Sequence, residues 1–448
     1  MSHLKFLRSQ KGFLVLILLL VGTLAFMAPT ANNDQTGDIP KGAHGEATME
    51  YQLQELDKLM PDVDFTTTPA GLDPVIWDAF IPEDNKMTPE RIVLGRKLYF
   101  DTRLSMDNTV SCATCHDVTR GFTDQRDVSE GIGGQLGRRN APTTLNVVLL
   151  QTLFLDGRSP TLDHQARMPI TNPIEMGFPD GESAVKAIKD DAEYQKLFQD
   201  AYGRDINYED IGKAIAAFER TLIFLDSPFM QFLGGDKEAL SVDEEAGWVL
   251  FNGKARCVSC HHLSRSNPLG TDNRFHNIGV AARQPDFEKL ASQGLIALAE
   301  DPSEEKLEEL ALNTDLSELG RFMVSRKRSD IGAFRTSILP NIGITPPYMH
   351  DGSLTTLWDV IDHYNAGGEA NPFLDGGIEP LALSDEEIDQ LVAFMFSMTD
   401  DKFAAENQRQ MKEQKALAGE SRPEKDDDMA FRRKIAFEDR IKGIKKQQ

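Results

Sequence analysis

The chain has 448 residues and a net charge of −23, with 27% charged and 40% hydrophobic residues. That length allows two or three domains, each with its own core. The acidic balance excludes a nucleic-acid binder; it suits a partner with a basic docking face, and solubility alone would account for it equally well.

Residues 1–11 carry Lys5, Arg8 and Lys11 and no acid, and residues 12–28 are almost wholly apolar around Phe13–Leu20 and Leu24–Met27. These are the basic and apolar regions of an export signal. Ala28–Pro29–Thr30–Ala31 is a poor cleavage site, so residues 1–31 read as a signal peptide or as an uncleaved membrane anchor through residues 12–28. Removing residues 1–31 would take the charge to −26. Residues 32–85 are rich in Gly, Pro and Asp and read as a linker and wrapping arm with one amphipathic stretch, Met49–Met60. From Thr88 the helical period begins, with Ile92, Leu94, Leu98 and Phe100. Further helices are expected over Ala184–Phe198 and Tyr208–Leu225, and a second unit opens at Leu240 with Glu244, Trp248 and Phe251. Residues 283–320 form an acidic, helix-prone insertion containing Glu304, Glu305, Glu308 and Glu309. After Asp400 the chain is densely charged and reads as a solvated helix or disordered tail. Strand-like alternation is nearly absent. The expected fold is mostly α with long loops: units over 86–232 and 233–402, then a charged tail over 403–448.

All four cysteines fall in two copies of Cys-x-x-Cys-His: Cys112–Cys115–His116 and Cys257–Cys260–His261. The spacing lets two thiols add across the two vinyl groups of one haem and puts a histidine under the iron as proximal ligand. A zinc site would not need a histidine directly after the second cysteine in both copies. A thioredoxin-like pair would sit in a βαβ context, which is missing. The chain is therefore expected to carry two covalently bound haem c groups in two cytochrome c-like domains, and covalent haem attachment fits the periplasmic side of a bacterial membrane. An acidic body with haems suits docking by a small cytochrome.

The sixth ligand separates electron transfer from chemistry. The loop Gly131–Gly137 after the first motif is glycine-rich and offers no strong ligand, which suggests an open first iron. Beyond it come Phe154–Leu155–Asp156–Gly157–Arg158, Gln165 and Asn172–Pro173–Ile174–Glu175–Met176–Gly177. A glutamate beside an open haem can carry a proton from one peroxide oxygen to the other, and an amide can orient the leaving oxygen. Read without context, Glu175 could equally be a surface cap and Gln165 a solvated side chain.

These motifs occur in order with Arg139–Asn140–Ala141–Pro142–Thr143, Phe275–His276–Asn277–Ile278–Gly279–Val280, Gly332–Ala333–Phe334–Arg335–Thr336 and Pro347–Tyr348–Met349–His350–Asp351–Gly352. As an ordered set over roughly residues 86–402 they resemble the bacterial dihaem cytochrome c peroxidase family, which includes the MauG-type enzymes. The resemblance implies an N-terminal peroxidatic haem, a C-terminal electron-transfer haem and a calcium ion between them. It assigns catalysis to Glu175 and Gln165, and calcium to Asn140, Thr345 and Pro347, hard oxygen donors that suit this ion.

Three departures from the family pattern matter. Sixteen residues after His116, where gated peroxidases carry a capping histidine, stands Ile132, so the gate should be missing. Sixteen residues after Tyr348, where they carry a methionine ligand, stands Tyr364, as in MauG-type enzymes. A phenolate is a hard anionic donor that lowers the haem potential; His363 is the competing ligand. One residue before Asp156, where the family often has an inter-haem tryptophan, stands Leu155, and Trp77, Trp248 and Trp358 lie elsewhere in sequence. The expected activity is a periplasmic, MauG-type oxidation. Hydrogen peroxide would react over His116, and oxidising equivalents would pass through the His261/Tyr364 haem to a protein substrate or donor. The alternatives are an ordinary cytochrome c peroxidase fed by a small cytochrome, and a dihaem electron carrier without catalysis.

Overall fold

The computed structural model describes residues 39–60, 67–69, 72, 74–300, 310 and 314–421. The export segment 1–31, most of the acidic run 301–313 and the end of the tail lie outside the described residues. Residues from Pro40 onward form one compact unit that contains both haem motifs. Among the described residues the regular strands are a two-residue antiparallel pair, β1 (Phe275–His276) and β2 (Phe334–Arg335). The rest is short helices and long loops.

The arm ahead of the first haem motif is tied to it. Helix α1 (Met49–Leu59) buries Gln52 and Leu56. The Gln52 amide donates to Ala113 O inside the motif at 3.1 Å and accepts from Val118 N–H at 3.0 Å. Ala47 N–H donates to Asp117 at 2.7 Å. The short α2 (Pro74–Ala79) adds Trp77 to the core.

Helix α3 (Pro89–Tyr99) starts where Thr88 accepts a bond from Arg91 N–H, with proline at its first position. It buries Leu94, Gly95, Leu98 and Tyr99. The first motif forms α4 (Cys112–Cys115), capped reciprocally by Ser111 and Thr114. Next come α5 (Leu162–Gln165) and α6 (Met168–Thr171).

One helix expected over Ala184–Phe198 is two, α7 (Gly181–Ile188) and α8 (Ala192–Tyr202). Asp191 accepts bonds from Glu193 N–H and Tyr194 N–H, which starts a new helix where the apolar period alone would run on. Helix α9 (Tyr208–Glu219) stops short of the expected Leu225. Asn146 takes both the N–H and the carbonyl of Phe224, so those groups cannot join a helical ladder. Helix α9 crosses α3 so closely that a Cβ on Gly95 would stand 1.8 Å from Ala214 O.

The second half repeats the arrangement. Helices α10 (Pro228–Gly234) and α11 (Val242–Asn252, capped by Ser241 and Glu244) precede the second motif, itself a 3-10 turn at Cys257–Ser259. After α12 (Phe287–Glu300), α13 (Phe322–Ser325) and α14 (Leu357–Asn365), helix α15 (Asp385–Phe396) crosses α11. A Cβ on Gly247 would stand 2.0 Å from Gln390 O.

Each half has its own core, one around Leu98, Ile215 and Phe218, the other around Phe251, Leu391 and Phe394. Burying each such side chain contributes about 1.5–3 kcal/mol. The described part of the expected insertion contributes Phe287 and Leu319 to a third small core, which Phe322 and Ile331 beyond it complete. The tail also differs from expectation. Helix α16 (Ala404–Ser421) buries Gln410, Gln414 and Ala418 against the second half, because Gln414 satisfies three backbone or hydroxyl groups there. It donates to Gly343 O at 3.0 Å and accepts from Leu357 N–H at 3.0 Å and Tyr348 OH at 3.2 Å.

Candidate haem sites

Each half encloses a cavity over its motif. The first, about 270 Å³, is lined by Cys115 and His116 together with Gln165, Asn172, Ile174 and Glu175. His116 directs Nδ1 at Phe122 O, 3.3 Å away, which fixes a hydrogen on that nitrogen and reserves Nε2 for iron. Burial pushes its pKa down to about 4, so the ring is neutral, the form that ligates. Cys112 packs into the first core beside the cavity.

Glu175 sits on the loop after α6. Asn172 orients it, donating from Nδ2 to Glu175 Oε1 at 3.0 Å. Burial raises the carboxyl pKa, opposed by Arg158, so this group is poised to hold a proton. Gln165, the last residue of α5, lines the same cavity. Ile132 is buried in the first core; its N–H donates to Glu175 O at 3.0 Å and its side chain packs over Gly177. Among the described residues no second histidine lines this cavity.

The second cavity, about 200 Å³, is lined by Cys257, Cys260, His261 and Tyr364. His261 Nδ1 is 2.8 Å from Gly270 O, again reserving Nε2. Tyr364 and His363 are neighbours on α14, and the helix turns them apart. His363 has Nδ1 2.9 Å from Arg283 and Nε2 2.9 Å from Ile278 O, and it does not line the cavity. Burial raises the Tyr364 phenol pKa; a coordinated metal ion would reverse that and favour the phenolate. Both motifs thus present the donors and space that covalent haem requires, and none of the four cysteines is in a disulfide.

Asn140, Thr345 and Pro347 come together along the first cavity. Asn140 donates through Nδ2 to Arg126 O at 2.7 Å. Leu155 lines both cavities, so it stands in the wall between them. Trp77, Trp248 and Trp358 are packed in the cores and line neither cavity.

Two lining residues carry chemistry that motif reading passed over. Glu219 ends α9, is 5% exposed and has its Oε2 without a partner; burial pushes its pKa up to about 8. Arg335 lines both cavities. Glu219 had one signal in the sequence: an acid on the same helical face as Ile215 and Leu222.

A sequence model described as di-haem cytochrome c peroxidase matches residues 89–238. Methylamine utilization protein MauG of Methylorubrum extorquens is 35% identical over 316 residues, 70% of this chain and 79% of its own. The chain belongs to the dihaem cytochrome c peroxidase family. Cytochrome-c peroxidase IdrP1 of Denitromonas iodatirespirans is 33% identical, over 71% of this chain and 85% of its own. The solved structure of a MauG-like protein associated with microbial copper homeostasis superposes with a TM-score of 0.59 at 32% identity, covering 72% of this chain and 92% of that one. As a member of the dihaem peroxidase family, this chain is a haem peroxidase-like oxidoreductase with c-type haems. No helix among the described residues is long and apolar enough to cross a membrane.

Proposed function

We propose that this peroxidase is of the MauG type: it reduces hydrogen peroxide over His116 without prior reduction and draws the electrons through the second haem from a protein substrate or a small cytochrome. The observation that carries this reading is the asymmetry of the cavities. Among the described residues the first is lined by an acid and an amide and by no second histidine, and the second is lined by Tyr364, where the family pattern has a methionine.

His116 and His261 would each ligate one haem iron, with Cys112, Cys115, Cys257 and Cys260 as the covalent attachments, and Tyr364 would supply a second ligand to the iron over His261. Bound haem supplies the redox chemistry that splits the peroxide O–O bond. Glu175 would take a proton from one peroxide oxygen and return it to the other, which leaves as water; two electrons from the donor and two further protons would complete the second water. Asn172 keeps the Glu175 carboxyl aimed, and Gln165 orients the departing oxygen by hydrogen bonding. Asn140, with the Thr345 and Pro347 carbonyls, holds one Ca²⁺ beside the first cavity. The basic and apolar N-terminus directs the protein to the periplasm, free or tethered. Relatives named cytochrome-c peroxidase at nearly the same identity support a second reading, peroxide removal fed by a small cytochrome.

Resting ferric protein should show one high-spin and one low-spin haem and react with peroxide directly. Two low-spin haems, or a reaction that needs prior reduction, would sink the open-site reading.

A further inference from the structure

Six residues line both cavities: Leu155, Arg335, Ser337, Ile342, Tyr348 and Met349. Arg335 is the charged one, and it is 7% exposed. The backbone holds it in the wall. Its N–H donates to Leu155 O at 2.8 Å, and its Nη1 donates to Thr152 O at 3.0 Å. Its Nε–H has no acceptor. Burial pulls its pKa down to about 10, and Asp156 is the group that opposes this.

Asp156 is already taken. Arg158 donates to both its carboxylate oxygens, at 3.1 and 2.9 Å, and the Nε of Arg158 also lacks an acceptor. Arg139, on the first cavity, has its own carboxylate in Glu318 at 3.0 Å. The buried Arg335 and the half-buried Arg158 therefore face the one carboxylate of Asp156. A buried charge without its partner is strongly destabilising, and a guanidinium is shaped to take a carboxylate through two parallel N–H groups. Among the described residues no carboxylate is bonded to Arg335, and each haem c brings two propionate carboxylates.

We propose that Arg335 is a carboxylate clamp shared by the two haems, taking a propionate from each at the wall between the cavities. The proposal rests on the reading that both cavities hold haem. A cation held beside both macrocycles favours the reduced, less positive state of each iron. It also ties the charge on one haem to the potential of the other, at a place where Leu155 offers no aromatic relay.

The test is a redox titration of the holoprotein, with haem content counted first. Fewer than two haems per chain in the unaltered protein would overturn the underlying reading. At two haems per chain, Arg335→Gln should lower both midpoint potentials, and Arg335→Lys, which keeps the charge but not the two-pronged geometry, should lower both by less. A shift at one haem only, or at neither, overturns the clamp. If the neutral variant fails to load haem, unchanged potentials in Arg335→Lys overturn it as well. Midpoints of the unaltered protein that follow added acetate would put a solution carboxylate on Arg335, and would also overturn it.

Discussion

Both halves place a helix ahead of the haem motif and cross it with a later helix at a glycine, α3 with α9 at Gly95 and α11 with α15 at Gly247. Above that common frame the halves diverge. The first cavity collects ionisable and amide side chains, Glu175, Gln165 and Glu219, from three separate elements. On the second, Tyr364, Leu357, Val360 and Ile361 all come from the single helix α14. A frame of helix crossings positions the proximal histidine, and the loops and helix ends above it decide what happens on the other side of the iron.

Three changes would break or sharpen this contrast. The largest effect is expected at the first cavity. Glu175→Gln keeps the shape and removes the proton carrier, so the peroxide reaction in stopped flow should slow by about 10²-fold or more. A rate within a factor of a few would remove Glu175 from the chemistry. Next, Tyr364→Met replaces a hard anionic donor with a soft neutral one, so spectroelectrochemistry should show the second haem's potential rise while the first cavity still reacts with peroxide. An unchanged potential would mean that Tyr364 is not the ligand.

The smallest effect is on stability. The Glu219 carboxyl moves from an ordinary 4.5 to about 8 on folding because it is buried. A raised carboxyl pKa means that the folded state holds the proton more tightly. Its stabilising contribution is complete below pH 4.5 and is lost as pH rises through about 8. Glu219→Gln should flatten the fall in thermal midpoint across that window. An unaltered pH profile would place the acid's titration elsewhere.

Much of this was legible in the sequence, and the gaps have physical causes. The two haem motifs and the helices leading into them follow from spacing, because a fixed covalent geometry and a 3.6-residue period leave few alternatives; Tyr364 stood out only through the family resemblance. Periodicity did not show the break at Asp191 or the end of α9 at Glu219. Those are set by side chains bonding the backbone: Asp191 to the start of α8 locally, and Asn146 to Phe224 across 78 residues. The choice between His363 and Tyr364 needed the packing of α14, which hands His363 to Arg283 and Ile278. Charge density suggested a solvated tail, yet α16 is docked, since only one face of a helix has to be apolar or hydrogen-bonded to be buried. Arg335 was visible as part of a motif, but its burial between two cavities depends on Leu155 and Thr152, about 180 residues earlier.

Gln414 is 1% exposed and holds the hydroxyl of Tyr348, a residue that lines both cavities. The wall between the cavities is thus braced from α16, 66 residues further along the chain than Tyr348. Gln414 itself lines neither cavity. A change there would reach both cavities at once, through the hydroxyl it holds.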